Sequence, residues 1–429
     1  MLKQLNSKSL ASLYDESRER MPPDERERWL NHRLAQQVRY AYRFAPAVRE
    51  MLDRARVSPS DIRSLADLQK LPVTSKDALV KLQHDRPPFG GFLSTPASHL
   101  RRTYVSPGPI YDAYGLEQVR ALARNFVRAG YPKPGDTVLV STGFHMVPAG
   151  LLLTDALDLL GCNVVPAGTG QTEVQIKILH DLRATTVVAF PSYFMTMVES
   201  AEQMGFDFRR DFNVKCLMCG GERHIDKLRK KFEEDYGLLV VPSYSTAELG
   251  PVAYDCGVGA GYHYGDEDCV IEIVDPSTGK QVGPMEVGEV VVTPFSRVCP
   301  LIRFGTGDLA SYTNAPCPCG RTSSRINGIM GMIGDHIRVK GMFVHLRELK
   351  EAMSAFPNLG SFQLVAELEG HRDKLTLRVE ADSAVNRQAV ASQIQQRCQD
   401  VFKLKVDKIE FLPRSTLRET DKVFMDTRW

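Results

Sequence analysis

The sequence predicts an α/β protein: a large N-terminal domain with a mostly parallel sheet flanked by helices, followed by a barrel-like segment, and then a small mobile α+β domain. Three observations carry this. Between residues 115 and 241, short all-apolar runs alternate with amphipathic stretches of helical period. After residue 255 the texture changes to strand-like runs separated by turn residues. Residues 331–429 then read as a separate mixture of helices and strands beyond a glycine-punctuated join.

The opening stretch reads as helical, with Leu30, Leu34, Val38 and Tyr42 at helical spacing. An amphipathic helix over Leu116–Arg128 is expected to stop at Gly130, and after Pro134-Gly135 comes the apolar run Thr137–Ser141. A helix over 146–160 stops at Gly161 and gives way to Cys162–Pro166. Helix 171–183 leads to Thr186–Phe190, helix 192–204 to Val214–Met218, and helix 224–236 to Leu238–Val241. Apolar strands without alternation, joined by helices, specify parallel strands buried on both faces. Ligands of such sheets gather beyond the carboxyl ends of the strands.

Downstream, Cys269–Val274 and Gly288–Thr293 read as strands joined by the turn Asp275–Gly279, an antiparallel or barrel-like arrangement. The domain boundary is placed at 330/331, where glycines 320, 328, 331, 334 and 341 cluster. Such glycines can serve as a hinge, although turn glycines are the simpler reading. The small domain is expected to hold helices 346–353 and 390–401 and strands 362–366, 374–379 and 408–411.

At 429 residues the chain exceeds what one core usually supports, so two domains are expected. Lys plus Arg (54) nearly balances Asp plus Glu (52), which argues against a nucleic-acid-coating protein. The charged N-terminus lacks the apolar core of a signal peptide. No run of about 18 apolar residues is present to span a membrane. Nine cysteines, an odd number without a secretion signal, read as reduced thiols. A cytoplasmic protein with small-molecule partners, and neither nucleic acid nor membrane, is the expectation; a homodimer is left open.

Chemistry is sought just after each strand. Ser243-Tyr-Ser-Thr-Ala-Glu-Leu-Gly250 is a hydroxyl-rich turn closing on a carboxylate, which suits a magnesium–nucleotide site. A helix N-cap with an acidic first turn is the competing reading. Asp308, after Gly305-Thr-Gly307, is placed to meet two ribose hydroxyls. Cys219-Gly-Gly-Glu222 ends a strand with glycines, against which a flat ring can lie. Separately, Cys256, His263, Cys317 and Cys319 form a Cys-x6-His pair and a Cys-x-Cys pair. Three thiolates and an imidazole are the donor set of a structural zinc ion; buried free thiols are the alternative, and Cys269 is a substitute ligand.

The order of these segments resembles the adenylate-forming superfamily, and further motifs narrow it to the phenylacetate–coenzyme A ligase branch. They are Leu71-Pro-Val-Thr-Ser-Lys76, Pro88-Phe-Gly90, Gly161–Pro166, Gly170-Gln-Thr-Glu173, Pro191-Ser-Tyr193, Cys319-Gly-Arg321 and Asp421–Arg428, and the likeness runs from about residue 65 to the C-terminus. The resemblance implies ATP-dependent activation of an aryl or other small carboxylic acid, then transfer to coenzyme A. It makes Glu248 the Mg2+-binding acid, Thr246 a phosphate-side hydroxyl, Tyr244 an aromatic flanking adenine and Asp308 the ribose-binding acid. Gly220, Gly221 and Glu222 match the strip lining the adenine and acyl pocket, and Phe144 an acyl-pocket aromatic. Lys422 matches the lysine that a rotating small domain brings to the acyl-phosphate bond. Arg325 is either a second nucleotide contact or a surface arginine. Some relatives with the cysteine pattern bind Zn2+ there.

Three departures stand out. The phosphate loop reads Tyr104-Val-Ser-Pro-Gly-Pro-Ile-Tyr-Asp112, with Pro107 and Pro109 contributing no N–H groups and the usual threonines gone; Ser106 and Gly108 remain as donors. Met332 and Gly334 replace an arginine and an aspartate usual at the hinge. Val147 stands where a second acyl-pocket aromatic is expected. The readings left are an active acid–thiol ligase with altered ATP binding, an adenylating enzyme with an amine or carrier-protein acceptor, and a non-catalytic binding relative. Retention of Glu248, Asp308 and Lys422 favours the first.

Overall fold

The computed structural model describes residues 15–106, 109–222, 225–333, 336–340, 342–370, 372–382, 387–418, 421 and 423–428. The chain divides into two compact units, residues 1–331 and 332–429.

In the large unit, helices α1 (Pro23–Phe44) and α2 (Pro46–Ala55) each start on a proline, whose missing N–H costs nothing in a first helical turn. α1 buries Leu30, Leu34, Val38 and Ala41 along one face. After α3 (Lys76–Asp85), capped by the Ser75 side chain, comes a hairpin of β1 (Arg102–Ser106) and β2 (Ile110–Tyr114) that forms its own two-stranded sheet. Helices α4 (Leu116–Ala129), α5 (Ala149–Leu160), α6 (Thr172–Asp181), α7 (Pro191–Gln203) and α8 (Asp226–Tyr236) then alternate with short strands. These are β3 (Thr137–Val140), β4 (Asn163–Val165), β5 (Thr186–Val188), β6 (Cys216–Gly220) and β7 (Leu239–Thr246), all parallel, in the order β4-β3-β5-β6-β7. Two apolar clusters cover this half, one around Val138, Val140 and Leu157 and another around Leu139, Phe194 and Leu217. Neighbouring strand residues thus bury on opposite faces.

From β7 the same sheet continues through β8 (Gly250–Asp255), β9 (Tyr262–Tyr264), β10 (Cys269–Val274), β11 (Gly288–Pro294), β12 (Phe304–Thr313) and β13 (Arg325–Met332), largely antiparallel and in the order β7-β8-β9-β13-β12-β11-β10. The barrel-like segment of the sequence reading is this antiparallel half of one eleven-stranded sheet. In the small unit, a hairpin of β14 (His336–Val339) and β15 (Met342–His345) precedes α9 (Leu346–Ser354). A sheet of β16 (Phe362–Glu369), β17 (Arg372–Glu380), β18 (Lys408–Leu412) and β19 (Phe424–Asp426) follows in the order β18-β17-β16-β19, packed with α10 (Arg387–Phe402) around a core including Leu364, Leu377 and Phe402. No helix among the described residues is long and apolar enough to cross a membrane.

Candidate active site

The hydroxyl-rich segment is not a helix cap but a strand end that runs into a turn. Ser243–Thr246 continue β7, and the chain reverses at Ala247-Glu248-Leu249 into β8, so Glu248 stands at a hairpin tip. Its side chain is only 4% exposed, and one carboxylate oxygen meets the Lys76 ammonium at 3.1 Å. The other oxygen, Oε2, and the nearby Thr246 Oγ1 have no hydrogen-bond partner. Buried polar atoms in folded proteins are normally paired, so two open oxygens side by side at a turn make this a candidate ligand site.

Asp308 reaches the site by a different device from the tight turn expected. It lies within β12, where Glu289 pairs with Leu309 but Val291 pairs with Gly305, so extra residues bulge out of the ladder. Gly307, at φ +76°, supplies the left-handed backbone that this bulge needs. The buried Tyr244 hydroxyl donates to Asp308 Oδ2 at 2.8 Å and lies 3.2 Å from Thr306 Oγ1. Burial pushes the Tyr244 phenol well up, with the Asp308 carboxylate beside it adding to the shift. Tyr244 is packed in the apolar core and orients Asp308 through its hydroxyl.

The glycine strip ends β6. Gly220 pairs with Ser243, and a Cβ there would fall 2.9 Å from the Ser243 carbonyl oxygen, closer than a side chain tolerates. Beyond Gly221, the Glu222 carboxylate accepts from the Ser192 N–H at 3.0 Å and from its hydroxyl, tying this strip to the first turn of α7. Phe144, half-buried, follows β3 and packs on Gly150 at the start of α5 and near Gly168. Phe144, Gly168, Ser192 and Gly220 all follow or end parallel strands, on the edge where such sheets bind ligands. Gly108 and Lys422 lie outside the described residues.

A feature missed from sequence is Asp112. It sits on β2 directly opposite Tyr104 and diagonally from Ser106, so both flank the same face of the hairpin. Asp112 is 3% exposed; the Ser106 hydroxyl lies beside its carboxyl, but neither Oδ2 nor Ser106 Oγ makes a well-formed hydrogen bond within the chain. Burial and then Glu248 raise its pKa well above the carboxylate range, with the nearby Ser106 hydroxyl and Lys76 ammonium opposing. The Tyr114 hydroxyl, two residues on, donates to the Ala247 carbonyl at 2.7 Å and docks the hairpin on the Glu248 turn. The sequence signal available was a lone aspartate among strand-forming residues.

On the antiparallel half, Cys256, His263, Cys317 and Cys319 bring their ligand atoms within 4.8 Å of one another. Cys319 Sγ lies 3.4 Å from His263 Nε2, and Cys256 Sγ 3.8 Å from Cys317 Sγ. Ser323 Oγ holds His263 Nδ1 at 2.9 Å, which leaves Nε2 facing the sulfurs. Burial lowers the His263 pKa to about 4, helped by Arg321 and Arg325. Cys269 is elsewhere, directed at the Val252 and Gly265 carbonyls. Arg325 is not at the surface: it is 5% exposed on β13, its Nη2 donates to the Ala315 carbonyl, and its Nε and Nη1 have no partner.

The fold and this edge of the sheet define an adenylate-forming enzyme, and residues 118–294 match the model of the AMP-binding enzymes. The chain is 30% identical to the phenylacetate–coenzyme A ligase of Thermus thermophilus, over 88% of this chain and 86% of that one. It is 31% identical to that of Aromatoleum evansii, over 85% of each. It belongs to the phenylacetate–coenzyme A ligase family. Among solved structures, 2-hydroxyisobutyryl-CoA ligase in complex with 2-HIB-AMP and CoA aligns with a TM-score of 0.89 at 26% identity, covering 99% of this chain and 94% of that one.

Proposed function

We infer that the protein is an AMP-forming acid–thiol ligase. The carboxylate of a small organic acid attacks the α-phosphorus of ATP, and pyrophosphate leaves. The coenzyme A thiol then attacks the carbonyl carbon of the acyl-adenylate, and AMP leaves. The observation that carries this reading is that one strand, β7, serves both acids: the Tyr244 hydroxyl holds Asp308, and the strand ends at the turn that carries the half-open Glu248. Asp308 would accept from ribose hydroxyls. Glu248 would hold the divalent cation that accompanies ATP, with Thr246 on the phosphate side; carboxylate and hydroxyl oxygens suit a hard cation such as Mg2+. Bound there, the cation would neutralise charge on the phosphate oxygens. Lys422 would stabilise the same charge during adenylation, carried by a small domain that moves between half-reactions.

For the acid, Phe144 supplies one aromatic side chain and Val147 stands where a second is usual, which supports an aryl acid or a branched or medium-chain acid. The four-residue cluster fits Zn2+ as a closed structural site. The neutral His263 and the unpartnered Arg325 nitrogens support it, since a zinc ion with three thiolates carries one net negative charge for a buried guanidinium to answer.

Pyrophosphate release from ATP with a panel of carboxylates, with and without coenzyme A, tests the reaction. Release with an acid, and coenzyme A consumed with it, is expected. Silence with every acid, together with no thermal shift on adding ATP, would leave a binding protein. Lys422→Ala is expected to lower adenylation by orders of magnitude while sparing thioester formation from supplied acyl-adenylate.

A further inference from the structure

We propose that Asp112 is a second acidic ligand, beside Glu248, for the divalent cation that enters with ATP, so that the wall of the β1–β2 hairpin supplies part of what its proline-bearing tip lacks. The inference rests on the nucleotide site described above.

Four buried oxygens from two separate hairpins make no well-formed hydrogen bond: Ser106 Oγ and Asp112 Oδ2, on neighbouring side chains of the first, and Thr246 Oγ1 and Glu248 Oε2 on the second. The hairpins are fastened together by the Tyr114 hydroxyl on the Ala247 carbonyl, next to Glu248. Strand register puts Ser106 and Asp112 on one face of the first hairpin. The two carboxyls feel each other's charge. The donor set is oxygen throughout, which selects Mg2+ or Mn2+ over softer metals.

The surroundings of the two carboxyls point the same way. Asp112 and Glu248 are buried near the same ammonium, Lys76. A carboxyl placed there for structure alone would be expected to engage both its oxygens in well-formed hydrogen bonds, and Oδ2 of Asp112 makes none. A divalent cation answers the paired carboxyls and the open oxygens together. The loop between the strands gives the chain a reason to need it: with proline at 107 and 109, it offers fewer amides to β- and γ-phosphates than a glycine- and threonine-rich loop does.

The test is Mn2+ titration of the full-length protein, read by the electron paramagnetic resonance of free Mn2+, with a non-hydrolysable ATP analogue present. Asp112→Asn is expected to weaken Mn2+ binding at least tenfold, and Asp112→Glu to recover part of the loss. A change of twofold or less in Asp112→Asn, with its circular dichroism intact, overturns the proposal. Should that variant fail to fold, the wild type decides. Fe2+ with ascorbate and peroxide is expected to cut the backbone within both 104–114 and 246–250, and Mn2+ to suppress both cuts. Cutting confined to 246–250, or absent from both, overturns it. A wild type that makes pyrophosphate while Asp112→Asn binds Mn2+ normally sinks this inference alone. A wild type that adenylates no acid while Asp112→Asn still loses Mn2+ sinks the proposed reaction alone.

Discussion

Glu19 and Glu248 lie near opposite ends of β8 and are both buried, yet their surroundings differ in kind. Glu19 accepts from Arg128 Nε at 2.7 Å, from the Tyr254 hydroxyl at 2.7 Å and from Arg321 Nε at 2.9 Å. Burial alone would raise its pKa, but Arg128, Tyr254 and Arg321 outweigh it, and the carboxyl is held below its ordinary value. Glu248 has one cation and one open oxygen. The first acid pins the segment before α1 to α4, β8 and the cysteine loop; its bonds are closed within the chain. The second keeps an oxygen that nothing in the chain takes up. Whether the hydrogen-bonding capacity of a buried acid is used up separates a residue that serves the fold from one that serves the chemistry.

The sharpest way to break this contrast is Glu19→Ala. It strips a buried partner from Arg128 and Arg321 and is expected to cost about 3–5 kcal/mol of unfolding free energy, read by urea denaturation. A loss under about 1 kcal/mol would mean that the network is ornamental. Glu248→Gln should do the reverse. Pyrophosphate formation is expected to fall by roughly 10²–10³-fold, as when a preorganised electrostatic contact is removed. Its melting temperature is expected to stay level or rise, because a strained functional charge is relieved. Unfolding of Glu248→Gln at a much lower temperature would place it with Glu19.

The cysteine cluster lies between the two cases. Cys319→Ser is expected to drop zinc content from near one equivalent to a trace by elemental analysis, and to lower unfolding free energy by roughly 1–3 kcal/mol. Wild-type protein with no more than a trace of zinc removes the metal proposal. An effect seen only as a pH dependence belongs to Asp266, the misfit of the N-terminal network. Burial lifts its pKa to about 6 although Arg26 opposes. The folded value exceeds the unfolded 3.8, so the native state holds the proton more tightly. The stability this group confers is therefore full below pH 3.8 and lost as pH rises through 6. Subtracting the Asp266→Asn profile from the wild type should leave a falling slope of up to about 1.4 kcal/mol per pH unit in that window.

The two halves of the sheet were unequally legible. The parallel half announces itself locally: apolar runs buried on both faces, helices stopped by Gly130 and Gly161 in left-handed caps. There the expected elements match the observed ones to within a few residues. The antiparallel half and the β1–β2 hairpin were read poorly, because β8, β9, β12 and β13 carry glycines and buried polar residues in place of a clean alternation. Glu248 and Asp308 were found through motif resemblance. Their presentation, a hairpin tip and a bulge, was not, since both depend on which strand pairs with which.

The sequence by itself determined the alternating α/β core, the division into a large and a small unit, the family, and which acids and cysteines are candidates for the site, because periodicity and motif order are properties of the chain read in line. Only the tertiary structure decided that Asp112 meets the neighbourhood of Glu248, that Glu19 is spent on three partners, that Arg325 is buried beside His263, and that Cys269 lies outside the cysteine cluster. Each joins residues far apart in the chain, and which buried atoms are left open is fixed only when the strands have paired.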